Sequence, residues 1–454
     1  LIRLVSDAMA NSDGIIIEGI TFRDPFGTVT LSEFIQVVGP PTHLTVKGCI
    51  MKDVANTVAL CMASVETGLF KDLSIFVGSL IKAGQFSERL TIQNVNINQA
   101  GPQGAFQFAS SVPELHLDNS WVRVVGGNVF SGGTITLVDL WITSSTLQFM
   151  AECWESADIS VHNFKAVSTK FFNNSSVSAT VMFEISGIFS FLMSNCIVDG
   201  GPAAFVPLIN CVSDIASKVL IDNSVFEHVG QLLLNSPSAD LTVSNCNFKH
   251  SEINIGDART VSITDNILDT DTTKLDNGNQ PRYKGLVGGG IYALEFSGNI
   301  VYQRHNDPTD PVNSTILESA TLFGSRGVFQ NNQFHGGNGI LIAFAGVTFT
   351  NNTVYGQIGS TKYNQGYLLR TISATSAVGN SIISNNQFSI GEGGVLIEAN
   401  PATQIQICDN EFDRIAYYGN MTPLGFHGLG AIKVFGNPSA TAALEKITIS
   451  GNII

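Results

Sequence analysis

The chain has 454 residues, of which 44% are hydrophobic and only 13% are charged. A disordered polyelectrolyte would be less apolar and a bundle of amphipathic helices more highly charged, so the composition excludes both. The net charge of -14 and the lack of any cluster of Lys and Arg argue against a nucleic-acid partner, since neutralising phosphates requires grouped basic side chains. The longest apolar stretch, at 185–193, contains serine and glycine and is shorter than a bilayer span, so no transmembrane segment is predicted.

One short pattern recurs along the chain. Apolar residues stand at alternate positions, followed by Asn, Asp or Gly, and another apolar residue comes three positions later, as in LTVSNCNF at 241–248. The alternation predicts a strand with one buried face. Asn, Asp and Gly best tolerate the left-handed backbone that turns a chain sharply out of a strand. We place this bend residue at Gly19, Gly48, Asp72, Asn94, Asn119, Asp139, Asn163, Asn195, Asn223, Asn245, Asp265, Gly298, Asn331, Asn351, Asn385, Asp409 and Gly451.

Between the bends a second apolar stretch usually occurs, which predicts at least two strands in each repeat. These stretches include 58–63, 105–108, 232–234, 340–344, 368–372 and 395–397. A strand and a sharp bend repeated at such intervals stack into a solenoid whose parallel sheets run along its axis.

The run GIIIEGITFRD at 14–24 and the recurring SNN and SGN bends resemble sequences of the pectate-lyase-like superfamily. This resemblance covers essentially the whole chain and implies a right-handed parallel β-helix. We therefore predict an all-β fold in which residues 1–454 form a single continuous solenoid of about seventeen coils. The longer loops are expected within 266–454, and both ends look like the middle of a structural unit, which predicts a segment of a longer chain.

The residue directly after the bend changes character along the chain. It is small or apolar at the first ten bends, whereas it is Asn at the last seven. Identical amides stacked at the ~4.8 Å spacing of strands can hydrogen-bond to one another and satisfy buried backbone groups. We predict such a structural ladder at Asn266, Asn299, Asn332, Asn352, Asn386, Asn410 and Asn452.

Catalytic motifs of pectate-lyase-like enzymes are not matched. Polygalacturonase-like hydrolases carry NTD, DD, GHG and RIK in that order, and this chain has only Phe426-His427-Gly428 and Ile432-Lys433, without the acidic pair. The WxDH and RxPxxR signatures of pectate lyases are absent from the sequence. The resemblance therefore concerns the fold, and an enzymatic activity is not favoured.

The most charge-dense region lies at 269–310, where consecutive loops of a solenoid would lie side by side. Paired carboxylates there could hydrolyse a glycoside, or acidic residues holding calcium with a basic proton acceptor could support β-elimination. A solvated pair of loops with weak ion pairs is the favoured alternative. The weak catalytic candidates are Asp269, Asp271, Asp276, Arg282, Lys284, Arg304, His305, Asp307 and Asp310.

All eight tyrosines lie between residues 283 and 418, mostly in the longer loops. Tyrosine combines a flat apolar ring with a hydroxyl, which suits sugar stacking and protein interfaces alike. The predicted ligand-binding residues are Tyr283, Tyr302, Tyr355, Tyr363, Tyr367, Tyr417 and Tyr418.

Apolar residues also stand two positions after several bends, where the side chain should point outward. A stacked row of them would form a strip that another chain should cover, unless the inward and outward phase is misassigned there. The predicted partner contacts are Trp121, Trp141, Ile197, Val225, Ile267 and Ile300.

Seven cysteines, an odd and low number, argue against a disulfide framework. Cys196 and Cys246 would lie two coils apart, ~9.6 Å at the sheet spacing and beyond the ~7 Å reach of a disulfide, so we predict free, buried thiols. No CxxC or His/Cys ligand spacing occurs, and no metal site is predicted. Five N-x-S/T sequons are compatible with glycosylation of a secreted protein, at Asn173, Asn174, Asn313, Asn351 and Asn420.

These observations favour an extracellular, cell-surface or particle-surface protein with a structural or adhesive role. It would present Tyr-rich loops to glycans or neighbouring subunits, as part of a larger chain or a homo-oligomer. The alternative is a polysaccharide-active enzyme, a lyase or glycoside hydrolase of the tailspike kind, with its site in the loops at 269–310. No cofactor is expected, except calcium if the protein is a lyase.

Overall fold

The computed structural model of the chain describes most of its residues. The described ranges are 2–5, 14–23, 33–38, 42–52, 59–100, 104–150, 152–154, 159–173, 182–185, 188–201, 209–212, 217–269, 286–303, 317–319, 326–336, 340–342, 344, 346–356, 367–372, 380–391, 393–399, 404–415, 431–436 and 446–454. Within these ranges the fold is all-β, without a helix. The chain divides into two compact units, residues 1–220 and 221–454.

The first unit contains short strands together with two long, bent ones. They are β1 (Ile2–Val5), β2 (Ile15–Glu18), β3 (Thr21–Arg23), β4 (Glu33–Val38), β5 (His43–Lys47), β6 (Ile50–Lys52), β7 (Ala59–Ile75), β8 (Ser79–Ala100), β9 (Phe106–Phe108), β10 (Val112–Asp118), β11 (Trp121–Val124), β12 (Phe130–Gly132), β13 (Ile135–Thr143), β14 (Thr146–Phe149), β15 (Ile159–Val167), β16 (Lys170–Asn173), β17 (Phe183–Ile185), β18 (Ser190–Ser194), β19 (Ile197–Asp199) and β20 (Ile209–Val212). The boundary between the units falls within β21 (Lys218–Asp222).

The second unit has the same character. Its strands are β22 (Val225–Ser244), β23 (Asn247–Thr264), β24 (Ile267–Asp269), β25 (Leu286–Ser297), β26 (Ile300–Gln303), β27 (Leu317–Ser319), β28 (Arg326–Gln330), β29 (Gln333–Gly336), β30 (Ile340–Ile342), β31 (Gly346–Thr350), β32 (Thr353–Tyr355), β33 (Tyr367–Ile372), β34 (Ser381–Ser384), β35 (Gln387–Gly391), β36 (Gly393–Ala399), β37 (Gln404–Cys408), β38 (Glu411–Ile415), β39 (Ile432–Gly436) and β40 (Lys446–Ser450).

Strands pair in parallel with the equivalent strand of the next repeat. In the first unit β10 pairs with β13, and β13 pairs with β15. In the second unit β26, β29, β32, β35 and β38 pair in succession. Each repeat thus lies on the preceding one, as the recurring pattern in the sequence predicts.

The predicted bends have the left-handed backbone in all but two places. The exceptions are Asp139 and Asn163, where the prediction was wrong, because they lie inside β13 and β15 as register partners. The bends of these two repeats are at Ser144 and Ser168, with φ of 50° and 52°. In both strands two consecutive outward residues interrupt the alternation of buried and outward side chains. The sequence around this interruption resembles the end of a strand followed by a bend, so the bend was predicted inside the strand, before its true position.

The core of the second unit consists of columns of inward side chains, one from each repeat. The column after the bends comprises Leu268, Val301, Phe334, Val354, Phe388 and Phe412, all at most 5% exposed. Phe388 and Phe412 stack with their ring centroids 5.2 Å apart and an interplanar angle of 11°. Burial of a large apolar side chain contributes roughly 1.5–3 kcal/mol, so these columns hold the repeats together.

Hydrogen-bonding side chains line the inside of the bends. In the first unit the Oγ of Ser145 accepts from the backbone N–H of Ser120 at 3.1 Å and donates to the carbonyl oxygen of Thr143 at 2.7 Å. Ser145 and Thr169 are the residues directly after the bends at Ser144 and Ser168. The misplaced bends had put Leu140 and Phe164 at this position.

The seven predicted ladder asparagines in the second unit are joined by hydrogen bonds. Asn332 is typical, since its backbone N–H donates to Asn352 Oδ1 at 2.9 Å and its Nδ2 donates to the carbonyl oxygen of Phe296 at 2.8 Å. Its Oδ1 in turn accepts from the backbone N–H of Asn299 at 2.9 Å. The ladder therefore satisfies buried backbone groups of the neighbouring repeats, which would otherwise cost free energy.

Six cysteines in the described part of the chain are thiols outside any disulfide, as predicted for Cys196 and Cys246. Cys49, Cys61, Cys153, Cys196 and Cys246 are buried, and Cys408 is partly exposed. Burial raises the pKa of Cys196 to about 11, so its reactive thiolate is scarcely formed at neutral pH. The five buried thiols act as small core residues. The side chain of Cys211 lies outside the described part of the chain.

In the part of the chain that the structure covers, we find no helix with the length and apolar character needed to cross a membrane.

Candidate functional site

The strands that follow the bends in the second unit present a regular outer face. Two outward positions occur on each of β24, β26, β29, β32, β35 and β38, and the register aligns them into two columns. One column comprises Ile267, Ile300, Gln333, Thr353, Gln387 and Glu411. The other comprises Asp269, Tyr302, His335, Tyr355, Ser389 and Asp413.

Tyr302, His335 and Tyr355 form a stack, which we call the aromatic column. The ring centroids of Tyr302 and His335 are 5.0 Å apart with an interplanar angle of 18°. Those of His335 and Tyr355 are 5.4 Å apart at 13°. Inside the column the rings cover one another's faces. A ligand beside the column therefore contacts ring edges, and only a ligand at one end of the column can contact a ring face.

Tyr355 provides the more open end of the aromatic column. Its register partner on the far side is Ser389, whose side chain is too small to cover a phenol ring. Tyr355 is 39% exposed. At the other end of the column, Tyr302 is in register with Asp269.

His335 has an unusual environment for a surface histidine. Its Nε2 lies 3.4 Å from Gln333 Oε1, and partial burial between the two tyrosines lowers its pKa. The imidazole is therefore neutral at pH 7, and a neutral imidazole has one nitrogen that donates and one that accepts a hydrogen bond. The aromatic column thus combines apolar ring faces with polar edges that can donate and accept hydrogen bonds.

Polar side chains continue the face beyond Tyr355. Gln387 Nε2 donates to Glu411 Oε2 at 3.3 Å, and Arg414 Nε contacts Asp413 Oδ2 at 2.9 Å. The hydroxyls of Thr353 and Ser389 lie on the same strands as outward groups. Amides, hydroxyls and carboxylates beside an aromatic ring can hydrogen-bond to a polar ligand that stacks on the ring.

The structure brings together only some of the predicted site residues. Tyr302 and Tyr355, predicted as ligand-binding, share the aromatic column, and Asp269 is their neighbour in register. Tyr367 lies in β33, but its side chain is outside the described residues. Other predicted ligand-binding and catalytic residues also lie outside the described ranges, namely Tyr283, Tyr363, Tyr417, Tyr418, Asp271, Asp276, Arg282, Lys284, Arg304, His305, Asp307 and Asp310.

His335 was not among the predicted site residues, although the sequence contains a signal for it. Tyr302, His335 and Tyr355 each stand four positions after a bend, at Gly298, Asn331 and Asn351. Alignment of the repeats on their bends would have placed all three in one column.

The predicted apolar strip is not continuous in the structure. Trp121 is in register with Asn96 and Thr146, whereas Trp141 lies on β13 between His116 and Lys165, so the two tryptophans do not share a column. The error follows from the misplaced bend at Asp139. In the second unit Ile267 and Ile300 are neighbours, but Asn247 separates Ile267 from Val225. In the first unit Ile197 is in register with Lys170.

Two of the five sequons have a described asparagine. Asn173 is 1% exposed at the end of β16, which leaves no room for a glycan on its side chain in the folded protein. Asn351 is exposed at a bend with φ of 56° and remains a predicted glycosylation site. Asn174, Asn313 and Asn420 lie outside the described ranges.

Among the residues that the structure describes, no group of three or more His, Cys, Asp or Glu side chains could hold a metal ion. Comparisons of the chain with protein-family models, curated proteins and solved structures find no match.

Proposed function

We propose that the protein is a right-handed parallel β-helix of about seventeen coils that acts outside the cell or on a particle surface. Its role is structural and adhesive, and it binds glycans on its outer faces. The aromatic column of Tyr302, His335 and Tyr355 is the single observation that carries the glycan-binding role.

The surroundings of the aromatic column favour neutral glycans over acidic ones. The chain has a net charge of -14, and Asp269 and Asp413 belong to the same outward column. A polyanionic glycan would be repelled by these charges, whereas a neutral sugar can stack on Tyr355 and hydrogen-bond to Ser389 and Thr353.

The test is binding of soluble neutral glucans, xylans and mannans, with polygalacturonate and alginate as acidic comparisons, measured by calorimetry. We expect a neutral polysaccharide to bind and Tyr355→Ala to weaken it at least tenfold. The matched control is Tyr292→Ala, because Tyr292 is 60% exposed on β25 and lies outside the aromatic column. The proposal fails if no neutral glycan binds, or if both variants bind like the parent.

A second candidate function is cleavage of a polysaccharide. It is favoured by the position of Asp269, a carboxylate beside Tyr302 in the column that the glycan would occupy. Incubation with neutral and acidic polysaccharides should then yield reducing ends or unsaturated uronates, and Asp269→Asn should abolish them while binding persists. The same yield from the variant and the parent would exclude Asp269 as a catalytic residue. Dependence of the yield on calcium would identify a lyase.

A further inference from the structure

A second outer face, in the first unit, combines one tryptophan with pre-positioned polar groups. On β8, β10, β13 and β15 the register aligns two outward columns. They comprise Thr91, His116, Trp141 and Lys165 in one column and Arg89, Glu114, Asp139 and Asn163 in the other. We call these eight residues the tryptophan face.

Trp141 is held between a histidine and a lysine side chain. The His116 ring stacks on the indole with centroids 4.4 Å apart and an interplanar angle of 21°. On the other side, Lys165 Nζ lies 5.5 Å from the ring centroid. Trp141 is nevertheless 38% exposed.

The two covers of Trp141 differ in how firmly they are held. His116 Nε2 contacts Glu114 Oε1 at 2.8 Å, although the two groups are not aligned as a hydrogen bond. Glu114 is fixed in turn by Arg89, whose Nε lies 2.8 Å from Oε2. Lys165 has a long, exposed side chain, and an exposed cation–π contact is worth only about 0.5–1 kcal/mol. A ligand could therefore displace Lys165 and stack on the uncovered face of Trp141.

Beside that face, Asp139 and Asn163 form an ordered acceptor and donor pair. Asn163 Nδ2 donates to Asp139 Oδ1 at 2.8 Å. Within the described part of the chain, this leaves Asp139 Oδ2 able to accept and the second amide hydrogen of Asn163 able to donate. Such a pair suits two adjacent sugar hydroxyls, because one hydroxyl can donate to the carboxylate while the other accepts from the amide.

From this geometry we propose that the tryptophan face is a second glycan-binding site, specific for a neutral sugar with two adjacent free hydroxyls. The sugar ring stacks on the face of Trp141 that Lys165 covers in the free protein, and its hydroxyls bind Asp139 and Asn163. The inference deepens the proposed glycan-binding role, but it uses different residues in a different unit and can fail independently of the aromatic column.

The test is titration with tetrasaccharides of glucose, mannose, galactose and xylose, followed by tryptophan fluorescence. The signal can be assigned because Trp154 is fully buried, and Trp121→Phe removes the remaining indole besides Trp141. We expect the fluorescence to change saturably with sugar concentration, and we expect Trp141→Phe to abolish this change. Asp139→Asn should weaken the affinity at least fivefold.

Two further variants separate binding from structure. Lys165→Ala should tighten binding a fewfold because the ligand no longer displaces a cation, whereas a purely structural lysine would give unchanged or weaker binding. Asp118→Asn is the matched carboxylate control and should bind like the parent, because both Asp118 oxygens already accept hydrogen bonds, from Thr143 and Gln93.

The proposal is overturned if no tetrasaccharide changes the fluorescence of either the parent or Lys165→Ala. It is also overturned if Asp139→Asn and Asp118→Asn have equal effects. Tyr355→Ala should leave this fluorescence change intact. A loss of polysaccharide binding by Tyr355→Ala in calorimetry would therefore report on the aromatic column alone.

Discussion

At the scale of single residues, the asparagine after each of the last seven bends has the clearest structural role. Asn332 is 1% exposed and connects three repeats through its backbone and side chain, while the preceding Asn331 is exposed at the bend itself. Two adjacent asparagines therefore serve different purposes. One satisfies buried hydrogen-bonding groups, and the other adopts a left-handed backbone with φ of 58°.

This difference predicts that the free energy of unfolding is much more sensitive to substitution of Asn332 than of Asn331. Asn332→Ala leaves the backbone N–H of Asn299 without its acceptor and the carbonyl oxygen of Phe296 without this donor. Each buried unsatisfied group costs about 1–3 kcal/mol, so we expect a loss of at least about 2 kcal/mol in the free energy of unfolding, measured by urea denaturation. Asn331→Gly is the control and should change it by less than about 1 kcal/mol, because glycine accepts the positive φ. Similar losses for the two variants would contradict the ladder's role.

The lowered pKa of His335 should make the free energy of unfolding depend on pH. Burial lowers the pKa of His335 in the folded protein, whereas an unfolded histidine titrates near ~6.5. As the pH falls through ~6.5, the unfolded chain binds the proton first, so the free energy of unfolding decreases. His335→Tyr keeps an aromatic ring in the column and removes the titration. Between about pH 7.5 and 5.5 the variant should lose less stability than the parent in urea titrations, and parallel pH profiles would refute this account.

At the scale of the elements, much of the fold could be predicted because the strand and bend pattern is local. Apolar alternation and a left-handed residue are both visible in a single repeat. The pattern failed at Asp139 and Asn163, where two consecutive outward residues mimic a strand ending. Serine at the true bends, Ser144 and Ser168, gave no signal because it seldom adopts a positive φ.

The candidate site was harder to predict than the fold. Tyr302 and Tyr355 were expected in loops, whereas they lie on strands β26 and β32. Their contact with His335 depends on the register of strands 20 or more residues apart in sequence, which becomes visible only when the repeats are aligned on their bends. The tryptophan face was hidden for a related reason, since the misplaced bend at Asp139 assigned Trp141 to the wrong column.

The close stacking of strands also limits side-chain size at certain glycines. A Cβ at Gly289, in β25, would overlap the carbonyl oxygen of Gly256 on the neighbouring β23. We expect Gly289→Ala to lower the free energy of unfolding by about 1–3 kcal/mol, measured by urea denaturation, since backbone cannot move aside without disturbing the pairing.

Gly133→Ala provides the comparison for that variant. A Cβ at Gly133 would meet no atom within 4 Å, so its effect should stay within about 0.5 kcal/mol. Equal effects of the two substitutions would mean that β23 and β25 do not approach each other as described.

At the scale of the whole molecule, the repeated parallel stack explains both the composition and the proposed role. Each repeat buries apolar residues against its neighbours, so few charges are needed, and the outward columns align side chains from distant parts of the sequence. The aromatic column and the tryptophan face both arise in this way, one in each unit. Both proposed glycan-binding sites therefore depend on the register between neighbouring repeats.

Disulfide cross-linking of outward positions tests that register most directly. Gln333 and Thr353 are register partners in neighbouring repeats, where parallel strands lie ~4.8 Å apart, whereas Gln387 lies one repeat further from Gln333, at ~9.6 Å. A disulfide joins Cα atoms no more than ~7 Å apart. We predict that Gln333→Cys with Thr353→Cys forms an intramolecular disulfide on mild oxidation, while Gln333→Cys with Gln387→Cys stays reduced. Efficient cross-linking of the second pair, or none of the first, would contradict the stacked register.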